Sequence, residues 1–201
     1  MNPLSIILGF VPQVVFALLV NWVPLGWAAG GGLAVALVLI ALTAARGGVK
    51  ILPLVQGVIL GVFTLIGFSA APETAAMVAP YARAAASLIL GTFIVVTSFF
   101  FPFTVQFARA DVPRQYWHTA RFLDLNRRIS LAWGIAVLAV SASQIVSARV
   151  GQAGTLLGVL LQWGVPAIAA YLAYSVTTRA IAASARSRPA GHDQPATPAA
   201  S

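Results

Sequence analysis

A chain of 201 residues with 60% hydrophobic side chains, 8% charged ones and a mean hydropathy of +0.92 lacks the charge to cover a water-soluble fold, in which about a quarter of residues are charged. Its solvent is lipid, and its net charge of +8 reads as membrane topology rather than nucleic-acid binding, because Lys and Arg collect in cytoplasmic loops. The absence of cysteine excludes disulfides, thiolate nucleophiles and Cys-ligated zinc or iron–sulfur centres.

A span needs about 20 apolar residues, since about 30 Å of hydrocarbon is crossed at about 1.5 Å per residue. Six segments qualify: residues 4–20, 25–45, 51–71, 84–101, 129–148 and 155–176. Runs of this length do not alternate as barrel strands would, so the expected fold is all-α. It is a polytopic membrane protein of six transmembrane helices over residues 1–182. The first residues carry no basic stretch and no small-residue cleavage site, so the first segment is expected to be retained.

Along the chain, Trp22 and Trp27 flank a tight turn and are the expected interface anchors. Pro12, Pro53 and Pro166 each remove a backbone donor and are expected to kink their helices. Gly57 with Gly61, and Gly154 with Gly158, have the spacing that lets helices pack closely or lets two copies of the chain associate. The six segments hold no Asp, Glu, Lys, Arg or His. Their polar content is amide and hydroxyl, including Gln13, Gln56, Gln144 and Gln162 on four different segments. Those glutamines form either interhelical hydrogen bonds, worth about 0.6 kcal/mol each, or a polar path for a solute.

Seven of the 16 charged residues lie within residues 101–128. Pro102 stops the fourth segment, and Asp111 and Pro113 mark a turn or helix start. From Pro113 to Arg128, Tyr116, Trp117, Phe122, Leu123 and Leu125 are interleaved with Arg114, Arg121, Arg127 and Arg128. This mixture predicts a short helix lying on the membrane, with rings at headgroup depth and guanidinium groups on anionic phosphates. Six spans put ten basic residues on one side and only Arg83 and Arg149 on the other. The 102–128 loop and both termini are therefore expected in the cytoplasm. Residues 183–201 have too little bulky apolar content to fold and read as a disordered tail, in which His192 is incidental.

An enzymatic site would need His118 paired with Asp111 or Asp124 as base and orienter. No nucleotide loop, HExxH or paired acidic metal motif accompanies them. No catalytic residue, metal ligand or cofactor is expected.

The opening LGFVPQVVFALLV and the stretch FLDLNRRISLAWGIAVLAVSASQIV resemble the intracellular septation protein A family of small bacterial inner-membrane proteins. The shared features are Phe10, Val11 and Pro12 at the first span, Pro102 after the fourth, and Asn126, Leu131, Ala132 and Trp133 entering the fifth. The resemblance covers most of residues 1–180. It implies a non-enzymatic part in envelope maintenance and division and supplies no catalytic residues.

The expected function is an interaction or scaffold component of the bacterial inner membrane. Arg109, Arg114, Trp117, Arg121, Arg127 and Arg128 would bind anionic headgroups or other membrane proteins, and a second copy of the chain is a candidate partner. The alternative is a channel or carrier for a small neutral or lipid-like solute, with Gln13, Gln56, Gln144 and Gln162 as its path. No nucleic-acid partner is expected.

Overall fold

The computed structural model describes residues 3–46, 48–150 and 155–186, and every regular element among them is helical. The helices are α1 (Pro3–Gly9), α2 (Val11–Leu19), α3 (Leu25–Ala45), α4 (Ile51–Ser69), α5 (Pro72–Ser98), α6 (Val105–Ala108), α7 (Ala120–Val150), α8 (Leu156–Val159) and α9 (Val165–Arg186). A single 3-10 turn covers Arg114–Tyr116, and a π turn at Leu160–Gly164 joins α8 to α9. Five runs are long and apolar enough to cross a membrane, as a multi-pass membrane protein requires: α3, α4, α5, α7 and Leu156–Ser184.

The first expected span differs. It is two short helices that break at Phe10. Pro12 cannot donate a backbone hydrogen bond and its ring crowds the preceding turn, and the Phe10 N–H tightens to Ile7 O at 2.9 Å. The bond that Gln13 N–H would make to Gly9 O is replaced by an inserted side chain. Gln56 Oε1 accepts from Gln13 N at 3.1 Å, and Gln56 Nε2 donates to Gly9 O at 2.7 Å. Gln56 is 0% exposed. One amide from α4 thus satisfies both backbone groups that the break would otherwise leave unpaired in an apolar core.

The principal packing pairs are α2 on α3, α3 on α4, α5 on α7 and α7 on α9, with lighter contacts from α4 and α2 to α5. Glycine permits the closest approaches, but not at the predicted spacing. A Cβ on Gly67 would collide with the backbone of Gly26, so α3 and α4 meet there main chain to main chain. Likewise Gly91 sits against Leu138, and Gly134 against Val95. A Cβ on Gly61 would meet no other part of the protein within 4 Å, and one on Gly57 would make only ordinary contacts beginning at 3.7 Å. Gly158 is buried, and Gly154 lies outside the described residues.

The core is aromatic at the break in the first segment. Phe10 stacks on Trp133 at 5.1 Å, Phe103 meets Phe10 edge-on at 6.2 Å, and Trp133 Nε1 donates to Thr177 Oγ1 at 3.1 Å. These contacts tie the break between α1 and α2 to α7 and α9.

Helix boundaries differ from expectation in two places that matter for function. α5 begins at Pro72 rather than near 84, so Arg83 lies inside a helix and is 8% exposed. The reading of charge-free helix interiors is therefore corrected: hydropathy cut the fourth segment at an arginine that the fold buries. α7 begins at Ala120 rather than 129, so Arg121, Asp124, Arg127 and Arg128 sit on its first turns. α9 also continues through Arg186, where the tail was expected to begin at 183; residues 187–201, including His192, lie outside the described residues.

Candidate functional site

Residues 102–119 are folded against the bundle end. Phe103, Val105, Phe107 and Ala108 are buried. Gln106 Oε1 accepts the Ile51 N–H at 2.8 Å, capping the start of α4, whose first turn has unpaired backbone donors. Thr104 Oγ1 lies 2.9 Å from both Asn126 O and Ser130 Oγ. A small second core of Val105, Ala108 and Phe122 carries Val112 and Trp117 on it.

The predicted arginines decorate this cap, and most have a partner within the chain. Trp117, fixed by its indole N–H to Val112 O at 2.8 Å, lies under Arg109 at 4.8 Å and Arg114 at 5.8 Å. Arg127 lies over Phe99 at 4.5 Å, and Arg128 pairs with Asp124 at 2.9 Å across one exposed helical turn. Arg121 donates to Ser184 O at 2.9 Å, tying the start of α7 to the end of α9. His118 is exposed, and Asp124 pairs with Arg128. The segment expected to be one surface helix is the 3-10 turn followed by the first turns of α7. Lys50 caps the same end, 4.0 Å over the Phe107 ring. Burial and then the nearby Arg46 hold its pKa below the usual lysine value, with Asp111 pulling the other way.

The four predicted glutamines are partly brought together. Beyond Gln56, Gln13 Nε2 donates to Ser87 Oγ at 3.3 Å, and Ser87 Oγ donates to Gln144 Oε1 at 3.2 Å. A chain of polar groups thus links α4, α2, α5 and α7. Gln162 is separate from it, donating to Ser147 Oγ at 3.2 Å. Gln56 and Gln13 make interhelical hydrogen bonds, and Gln144 and Gln162 line open space.

That space is a cavity of about 410 Å³ at the bundle end opposite the 102–119 cap. Its polar lining is Asn21, Arg83, Gln144, Ser147 and Gln162. Two helix irregularities border it. Pro80 interrupts the α5 ladder, and the π turn carries Gln162. Pro166 explains the latter, because it cannot donate to the Gln162 carbonyl one turn back; the Val165 N–H instead reaches Leu160 O. Such π turns are frequent at functional sites. Sequence reasoning missed Arg83 and Asn21. The available signal was an arginine followed at once by small residues in an otherwise helix-compatible stretch. No family model, curated protein or solved structure matches this chain.

Proposed function

We propose that the protein is a six-span bacterial inner-membrane protein with both termini in the cytoplasm, acting as a non-enzymatic interaction or scaffold component of envelope maintenance or septation. The observation that carries this reading is the fixed basic face: exposed Arg114, Arg121, Arg127 and Arg128 on a cap anchored by Phe103, Thr104, Gln106 and Phe107. A tethered loop would lose entropy on binding; a face already ordered loses less. Basic groups near an anionic leaflet contribute about 1 kcal/mol each. The sixth span is the α1–α2 pair, whose combined length of about 25 Å approaches the hydrocarbon thickness. The resemblance to the septation protein A family supports the envelope role.

Two experiments test it. A periplasm-specific reporter fused to the C-terminus should stay silent, and a bright signal would invert the topology. A photo-crosslinker at exposed Gln115 should capture a membrane partner in intact cells. Replacing Arg114, Arg121, Arg127 and Arg128 with Gln should remove that adduct, and an unchanged adduct counts against the basic face.

A second reading, a channel or carrier for a small neutral or lipid-like solute, is favoured by the polar chain from Gln56 through Gln13 and Ser87 to cavity-lining Gln144. Proteoliposomes should then pass glycerol faster than empty vesicles, with Gln144→Leu slowing the flux. Equal rates would remove this reading.

A further inference from the structure

We infer that the cavity opposite the basic cap is a binding site for a small anionic group, a phosphate or a carboxylate, with Arg83 as its principal ligand. The site requires binding alone. It stands whether or not a solute crosses the membrane and whichever role the basic cap has.

Arg83 is a charge without a balancing partner among the described residues. Arg83 is 8% exposed on a helix apolar enough to span a membrane, and taking a guanidinium out of water without a partner costs several kcal/mol. The protein offers it little in return. Among the described residues its one hydrogen bond is from Nη1 to Ala17 O at a long 3.4 Å. Arg83 shares that carbonyl with Asn21 Nδ2, which donates to it at the shorter 2.9 Å. Ala17 lies in the last turn of α2, so Arg83 does sit at the negative end of a helix dipole. Capping nevertheless engages one N–H of the five that a guanidinium carries. Among the described residues no carboxylate lines the cavity, and Glu73, ten residues earlier on α5, is about 15 Å away along the helix axis.

The remaining lining suits an oxyanion. Gln144 has its Oε1 occupied by Ser87, which leaves its NH2 to donate, and Ser147 contributes a hydroxyl. A planar guanidinium fork matches phosphate and carboxylate oxygens in pairs, an interaction about twice as strong as a neutral hydrogen bond. At about 410 Å³, the space falls within the range of small-ligand pockets. The apolar remainder of the lining, including Val20, Ala79 and Ala148, suits an anionic group carrying a short hydrocarbon portion. A lipid headgroup and a free anion share this chemistry.

The test uses the full chain in an uncharged detergent, with thermal unfolding followed by tryptophan fluorescence at constant ionic strength. The probes are inorganic phosphate, acetate and dihexanoyl phosphatidylglycerol, with dihexanoyl phosphatidylcholine as the zwitterionic control. The expected result is a saturable rise in Tm of about 3 °C or more with at least one anionic probe. The rise should be absent in Arg83→Gln and in Ala148→Trp, which fills the cavity and leaves the arginine in place. Stabilisation by phosphatidylglycerol alone identifies a lipid headgroup, and stabilisation by phosphate or acetate identifies a free anion. No saturable rise in the wild type, or an equal rise in the wild type and Ala148→Trp, overturns the site and leaves Arg83 as a helix cap only. Should Arg83→Gln fail to fold, the Ala148→Trp comparison decides by the same criterion.

Discussion

Gln56 on α4 stands in for the helical hydrogen bond between Gln13 and Gly9, accepting from one backbone group at 3.1 Å and donating to the other at 2.7 Å. A side chain from a neighbouring helix thereby closes a proline break that lipid would not tolerate. Gln56→Leu should destabilise the protein by about 1–3 kcal/mol, the cost of leaving a buried polar group unpaired, as measured by reversible unfolding in mixed micelles. A loss below about 0.5 kcal/mol would mean that the helix recovers its own 13-to-9 bond and that the insertion is dispensable.

The backbone contact of Gly67 with Gly26 leaves no room for a methyl group. Gly67→Ala should cost about 1–3 kcal/mol through overpacking. Gly61→Ala, in open space, should be neutral or slightly stabilising by reducing unfolded-chain entropy. Thermal melts of the two variants distinguish this packing from the spacing rule, which ranks Gly61 as the interface residue.

At the cap, aromatic burial outweighs surface charge. Phe103 is 1% exposed, and Phe103→Ala should cost about 3–5 kcal/mol. The Arg128–Asp124 pair is exposed on both partners, so Arg128→Gln should change stability by less than about 0.5 kcal/mol. Comparable losses in the two variants would contradict this ordering.

Lys50 is the chain's single lysine. Burial and Arg46 disfavour its charged form, so its folded pKa lies below its unfolded value. The penalty is present at pH values below the folded pKa. It is relieved as pH rises through that pKa towards the unfolded one, so this group makes the protein more stable with rising pH in that window. Acylation by an amine-selective reagent, read by mass spectrometry across pH, should show Lys50 reacting at lower pH than a free lysine side chain. Arg46→Gln should move its profile to higher pH and Asp111→Asn to lower pH. No displacement of the profile by either change would refute the electrostatic account.

Much of the layout was legible from sequence. The expected run over 25–45 coincides with α3, and that over 51–71 starts with α4 and overshoots its end at Ser69 by two residues, because uninterrupted apolar length is a local property. The break at Pro12 was visible as a proline but not as a repair, since the residue that repairs it lies 43 positions away in sequence. The loop arginines were found as a cluster, yet their attachment to Trp117, Phe99, Asp124 and Ser184 depends on which helix ends meet. Gly26 and Gly67 escaped the spacing rule because their contact is between helices, and a rule of spacing along one helix does not reach it.

Composition alone determined that the chain is built of apolar helices for lipid, because too few charged groups exist to cover it in water. Tertiary structure alone decided which polar groups share that interior. Hydropathy averages over neighbours in sequence, so it ended a segment at Arg83, whereas the fold carries α5 past it and encloses the guanidinium beside Asn21, Gln144, Ser147 and Gln162. A charge is expensive in lipid wherever it stands in the chain, and only the surrounding helices determine whether it ends a span or lies inside one.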